Sequence, residues 1–550
     1  MSAVAFSGGG RLKGDVMRSS LVRWFQVLVV ALVVSLQTVD AGDAPPNVIV
    51  VLLDDAGYSD FGFMGAEIAT PHMDRLAREG VLLLQFYNNA QCVPTRGALL
   101  HGMSAHGAGY GSMATRGVVD SDSAYRPLRK GVWSIAEVLR AAGYRTYASG
   151  KWHLGESPGL RPLERGFDRH YGMLAGAAQF HGSALTEEKV KREGWQLDGR
   201  DLTRADFPDG FYTTDALTEW AMRFIAEGEA DRPFFLYLAY TAPHWPLQAK
   251  EADLARYRSL YATTSWQEIR RGRVERQKAR GLLAEDAKLP EPWPRSLETD
   301  GGEEKRDAEA MATYAAMLDC VDQNLGRILA FLEERAQLEN TLILLLSDNG
   351  ADTLHGDGWV QVNNAPFRLM KTFTHEGGVR TPLVAHWPRG LPRGVVNRQH
   401  YGHVQDILPT ILEATGARLP AVNPRGQPTR PLEGRSLLPA LRDPAYADPR
   451  PLPIERMGNE MIRVGRWKLV RRYNHAMEAK ARRALFFTEG PREGVWELYD
   501  LAVDPAETQD LAAAFPEKVA ELEADYRDWM RRVGAEDREA QLQRGDAPHN

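Results

Sequence analysis

The chain has 550 residues, 43% hydrophobic and 25% charged, close to soluble globular proteins, which excludes a disordered, collagenous or polytopic membrane protein. Lys and Arg number 67 against 73 Asp and Glu, a formal charge of -6. This leaves no global cationic footprint for nucleic acid or an anionic membrane, so an anionic substrate requires a local cationic site. At roughly 150 residues per domain, a large enzyme-sized domain with a smaller companion is expected. Two cysteines, Cys92 and Cys320, are too few for a disulfide framework.

Arg18 and Arg23 precede an uncharged stretch at 24–39, followed by Val39-Asp40-Ala41. This pattern predicts a cleaved signal peptide at 1–41, because the stretch is shorter than the roughly 20 residues that span a bilayer. A retained anchor is the alternative reading. The expected mature protein is exported, periplasmic or secreted, with no stable membrane insertion. Residues 47–53 (NVIVVLL) form a Val-rich apolar run that stops at Asp54-Asp55, as in a strand buried on both faces of a parallel sheet. Residues 74–79 read as a helix and 81–87 as a strand. Ser134 and Glu137 form a capping-box signature for a helix at 134–142 that ends at Gly143, with a strand at 144–148. Further apolar runs at 234–239 and 341–346 each end in polar residues.

Met311, Tyr314, Leu318, Val321, Leu325, Ile328 and Leu332 recur at three- and four-residue spacing, predicting a helix over 309–334. Cys320 adjoins the stripe and reads as a packed small hydrophobe. Residues 266–306 are densely charged and read as a helical insertion with an exposed loop on solvated surface. Short strands at 461–464 and 467–470, another at 496–501 and a helix at 516–533 suggest a small α+β unit. The expected fold class is α/β: a large domain at 45–455 with a mostly parallel mixed sheet between helices, and a small α+β domain at 456–540 with an antiparallel sheet.

Ligands of open α/β sheets bind outside the carboxyl ends of the strands. Asp54 and Asp55 follow one strand there, and Asp348 and Asn349 another. Such oxygens suit a hard cation, Ca²⁺ or Mg²⁺, better than zinc, provided the two strands are neighbours. Cys92, Pro94 and Arg96 lie in CVPTRGALLHG, where Pro94 and Gly102 bracket a short helix with Cys92 near its N-terminus. Lys151 and His153, in GKWHLG, share one face if the segment is extended. His244 sits in the proline-flanked APHWPL, and Lys371 opens a Gly-rich segment ending in EGGVR.

CVPTRGALLHG resembles the CxPxR signature of the type I sulfatases, a formylglycine-dependent family of the alkaline phosphatase superfamily. NVIVVLLDDAGYSD, GKWHLG, APHWPLQA, SDNG, KxxxxEGGxR and ELYDLAVDPAETQDLA occur in family order over about 47–534, and PHWPLQA is most similar to the bacterial arylsulfatases. The resemblance implies an alkaline phosphatase-like fold and a sulfuric ester hydrolase, in which a formylglycine-generating enzyme converts Cys92 to Cα-formylglycine. Its hydrated aldehyde would attack the sulfate monoester. One Ca²⁺ is implied, held by Asp54, Asp55, Asp348 and Asn349 and touching the modified Cys92. Arg96 would stabilise the hydrate, Lys151 and Lys371 would bind sulfate, and His244 with Lys371 would assist the leaving group. His153 would assist sulfate elimination, and Asp348 is the candidate base. Val93 and His101 depart from the family pattern, where Ser or Thr and Thr are usual. Two alternatives stand: a formylglycine-dependent hydrolase of phosphonate monoesters or phosphate diesters, and a non-catalytic binder of sulfated ligands.

Overall fold

A computed structural model describes residues 1, 2, 5, 44–113, 122–292, 301–353, 356–473 and 494–536. The expected signal-peptide core therefore lies outside the described residues. Residues 46–550 cluster as one compact unit and 1–45 as another. Among the described residues, no helix is long and apolar enough to cross a membrane.

The first unit of structure is a ten-stranded sheet: β1 (Asn47–Asp54), β2 (Val81–Tyr87), β3 (Arg145–Gly150), β4 (Arg169–Met173), β5 (Trp195–Leu197), β6 (Arg200–Asp201), β7 (Phe234–Pro243), β8 (Thr341–Ser347), β9 (Arg380–His386) and β10 (Val395–His403). Its order is β10-β2-β9-β8-β1-β7-β3-β4-β5-β6. The centre β8-β1-β7-β3-β4 is parallel, as the doubly apolar strand runs require. β9 enters antiparallel to both β8 and β2, and β5 is antiparallel to its neighbours β4 and β6. The sheet is thus mixed.

Side chains of a strand alternate between faces, and β1 divides the core accordingly. Ile49, Val51 and Leu53 join Leu318, Val321 and Leu325 of the helix Gly301–Glu334 on one side. Val48, Val50 and Leu52 join Leu99, Leu100, Ile135 and Leu139 on the other. Each fully buried aliphatic of this kind contributes about 1.5–3 kcal/mol. The long helix begins at Gly301, eight residues before the expected start at 309, and its apolar stripe joins the core from Met311 onward. Cys320 is buried within that stripe, as expected. Ser134 and Glu137 form the reciprocal cap, and Glu137 also holds the buried Arg165 at 2.6 Å.

The charged insertion differs from its sequence reading. Glu251–Thr263 and Trp266–Ala279 are helices, but Arg270, Arg273 and Gln277 are buried. Arg273 pairs with Asp60 and Glu67, both at 2.7 Å, so ion pairing draws part of this segment inside rather than leaving it on a solvated surface.

A second sheet, antiparallel throughout, comprises β11 (Leu452–Arg456), β12 (Asn459–Val464), β13 (Trp467–Arg471) and β14 (Glu497–Asp500). It begins at Leu452. Its Ile462, Leu469 and Leu498 take the apolar side of the helix Pro516–Val533, through Leu522, Tyr526 and Trp529. The opposite face places Ile454, Met461 and Val470 against Tyr87 and Tyr401 of the large sheet and Val379 just before β9.

Candidate active site

The carboxyl ends of β1 and β8 are adjacent. The two strands run in parallel register to Leu53 opposite Ser347, so Asp54-Asp55 and Asp348-Asn349 emerge together. All four are buried. The Asp55 backbone N–H donates to Asp348 Oδ1 at 3.3 Å, and Asn349 Nδ2 donates to Asp55 Oδ1 at 2.6 Å. Gly350 permits the turn: a Cβ there would lie 1.9 Å from the Gly377 carbonyl oxygen.

Three cations converge on these carboxylates. Arg96 donates from Nε and Nη2 to Asp348 Oδ2 at 3.1 and 2.9 Å. Lys151 meets Asp54 Oδ2 at 2.6 Å, and Lys371 meets both Asp55 oxygens at 2.7 and 2.8 Å. Lys371 arrives there because β9 is antiparallel to β8, which puts the segment before Arg380 at the same sheet edge. Lys151 follows Gly150, whose φ of 121° and closeness to Ala239 O admit only glycine.

Burial, then the Asp54 charge, raises the Asp348 carboxyl to about 7 against the pull of Arg96. Burial also works against ionised Asp55, but Lys371 and His244 more than offset it and hold that carboxyl well below the usual range. Asp54 Oδ1 and Asn349 Oδ1 are buried without a hydrogen-bond partner among the described residues. Unpartnered oxygens beside carboxylates that repel one another fit a hard divalent cation. Ligand atoms of Asp54, Asp55, Cys92 and His244 also lie within 4.8 Å of one another.

Cys92 opens the helix Cys92–His101, two residues earlier than Pro94 suggested, and Gly102 closes it in the left-handed conformation. Burial raises its thiol to about 11, although Lys151 and Lys371 pull the other way. As an unmodified thiol it is therefore a poor nucleophile. His101 turns away from the cluster: Nδ1 lies 2.7 Å from Gly97 O, and the ring stacks on Tyr110 at 5.4 Å. Val93 is a core residue.

His153 reaches the region by a different route from the extended segment expected. β3 ends at Gly150, and His153 has a φ of 55°, so Lys151 and His153 do not share a strand face. Its ring packs under Gly176, where a Cβ would lie 2.3 Å away, and its Nδ1 is enclosed without a partner. Burial, then Lys151 and Arg96, holds its pKa well below the ordinary histidine value. His244, just past β7, places Nδ1 2.6 Å from Trp245 O and Nε2 3.7 Å from Asp55 Oδ2. Burial lowers it to about 4, leaving the ring neutral.

Two tyrosines hidden in apolar runs also serve this edge. Tyr237 accepts from Arg96 Nη1 at 3.4 Å, and the Tyr314 hydroxyl lies between Asp55 O at 2.9 Å and Asp60 Oδ2 at 2.6 Å. A hydroxyl inside a buried stretch must find a partner, which was the one available signal.

A family model described as Sulfatase matches residues 46–417. An uncharacterized sulfatase of Schizosaccharomyces pombe is 31% identical over 541 residues, covering 87% of this chain and 92% of that protein. An arylsulfatase of Klebsiella aerogenes is 31% identical over 431 residues, covering 71% of this chain and 91% of that one. The crystal structure of Ps i-CgsB in complex with k-i-k-neocarrahexaose superposes with a TM-score of 0.65 at 26% identity, over 88% of this chain and 92% of that chain.

Proposed function

The chain belongs to the sulfatase family and hydrolyses sulfate esters; from that premise we propose an arylsulfatase-type hydrolase of sulfate monoesters that uses Cys92 as formylglycine and one Ca²⁺. The observation that carries this reading is the convergence of Asp54, Asp55, Asp348 and Asn349 with Arg96, Lys151 and Lys371 beside Cys92.

Asp54, Asp55, Asp348, Asn349 and modified Cys92 would hold the ion, which supplies Lewis-acid stabilisation of sulfonyl charge when bound. Position 92, once carrying formylglycine, would present the nucleophile that the buried thiol does not. This chain's own groups then do the rest. Lys151 and Lys371 bind the sulfate oxygens as negative charge spreads over them, from fixed positions that need no reorganisation. Arg96 steadies Asp348 and the nucleophile, and Asp348 holds the nucleophile's proton. Lys371 donates toward the leaving oxygen. His244 lies beside it, with Nε2 as the free ring nitrogen when Nδ1 donates to Trp245 O. His153, neutral and enclosed, is poised to accept the proton whose loss releases sulfate. Residues 1–41 act as an export signal, and maturation requires a formylglycine-generating enzyme as partner.

The test compares a sulfate monoester and a phosphate diester of 4-nitrophenol with the Ca²⁺-loaded enzyme made in a modifying host. Faster turnover of the sulfate ester, with sulfate released, is the expected result. Turnover of the diester alone overturns the assignment in favour of a phosphodiesterase, and binding without sulfate release favours a non-catalytic binder.

A further inference from the structure

One cation near Cys92 lacks the counter-ion that the others have. Arg96, Lys151 and Lys371 each meet a carboxylate. Arg456, the last residue of β11, is fully buried, and among the described residues no carboxylate pairs with it. Glu455, whose charge reaches it, is instead engaged with His106 Nε2 at 2.8 Å and the Gly458 N–H at 2.7 Å.

The position of Arg456 is fixed by a tight hairpin. Met457 and Gly458, with φ of 52° and 82°, make the two-residue turn from β11 to β12. Across the turn, Asn459 Nδ2 donates to Thr372 O at 3.3 Å, next to Lys371. Arg456 Nε donates to the side chain of Gln91, which caps the Cys92 helix, and Nη1 to Gly111 O at 3.4 Å. The hairpin tip thus grips both segments that carry Cys92 and Lys371. Gln91 immediately precedes Cys92, so this bond ties the guanidinium to the start of that helix. Nη2 is buried and has no hydrogen-bond partner among the described residues.

A buried guanidinium with an unused nitrogen and no counter-ion is unfavourable in the free protein. It becomes favourable when an oxyanion fills its planar fork. The geometry points to Arg456 as a substrate-binding residue that receives a second anionic group, carboxylate or sulfate, on the part of the substrate next to the scissile ester. This rests on the sulfatase reading above and narrows its substrates to esters carrying a further negative charge.

The test uses the mature full-length enzyme with Ca²⁺ and three aryl sulfates: 4-nitrophenyl sulfate, a nitrophenyl sulfate with an ortho carboxylate, and a nitrocatechol bis-sulfate. Arg456→Gln is expected to lower kcat/KM for the two dianionic esters about 10- to 100-fold more than for 4-nitrophenyl sulfate, mainly through KM, the range for one charge-assisted hydrogen bond. The ester with the larger differential loss identifies the group bound. Arg456→Lys, which keeps the charge and loses the fork, should recover part of the difference and serves as the comparison if Arg456→Gln fails to fold. Equal losses on all three esters would overturn the inference, placing Arg456 on the scissile sulfate or in the fold, and no loss would overturn it too. Wild-type enzyme inactive on every sulfate ester is a separate failure, of the functional reading itself.

Discussion

Leu53 and Ser347 are register partners on adjacent parallel strands. This pairing brings Asp54-Asp55 and Asp348-Asn349, almost three hundred positions apart in sequence, into one buried cluster with an Asp55 N–H to Asp348 bond. This carboxylate cluster, the candidate cation site, is thus a consequence of strand order rather than of a local motif.

Metal removal should lower stability as well as activity. A ligand bound only by the folded state at 100 times its Kd adds about 2.7 kcal/mol. Dialysis against a chelator is therefore expected to lower the Tm, with recovery on adding Ca²⁺. Asp54→Asn should lose that Ca²⁺ response. A Tm indifferent to chelator and Ca²⁺ would contradict the site.

Lys371→Met removes a fixed cation from the edge of the sheet while its stem packing is largely kept. Loss of one preorganised donor typically lowers kcat by about 10²–10³-fold, and that loss is expected for 4-nitrophenyl sulfate. A variant altered only in KM would restrict Lys371 to ground-state binding.

Acid lability should trace to Glu376, in the segment that carries Lys371. Burial disfavours its charge, but Lys468 at 2.8 Å and Arg380 at 3.2 Å more than compensate and lower it from 4.5 to about 2. Because the folded pKa lies below the unfolded one, its contribution is present above about pH 4.5 and is lost as pH falls toward 2. Glu376→Gln should flatten that part of the stability profile. It should also destabilise at neutral pH, by less than the roughly 3–5 kcal/mol of a fully uncompensated buried charge, since Lys468 still keeps Glu507 at 2.8 Å. Urea unfolding at several pH values reads both effects.

Arg273→Met should destabilise by about 3–5 kcal/mol, because Asp60 and Glu67 lose their buried partner. Asp60 also holds Tyr314, which bonds Asp55 O, so kcat should fall too. Tyr314→Phe separates the effects: activity should drop with a smaller change in Tm.

The sequence shows the strand ends because each apolar run stops abruptly at polar residues, and side-chain alternation along β1 does place a core on both sides. The carboxylates, Cys92, Arg96 and both lysines were legible for that reason and through family blocks. His153 was legible by type but not by geometry, since a left-handed φ at a non-glycine residue follows from tertiary packing. Charge density hid Arg273, whose burial depends on acids more than two hundred positions away. Arg456 left no local signal, because its partner Gln91 is 365 positions distant.

The most direct measurement is the mass of the peptide spanning Cys92, from protein made in a host that modifies a control sulfatase in parallel. The account predicts an aldehyde in place of the thiol. An intact thiol beside a fully modified control would contradict it, leaving Cys92 as a buried, unmodified thiol.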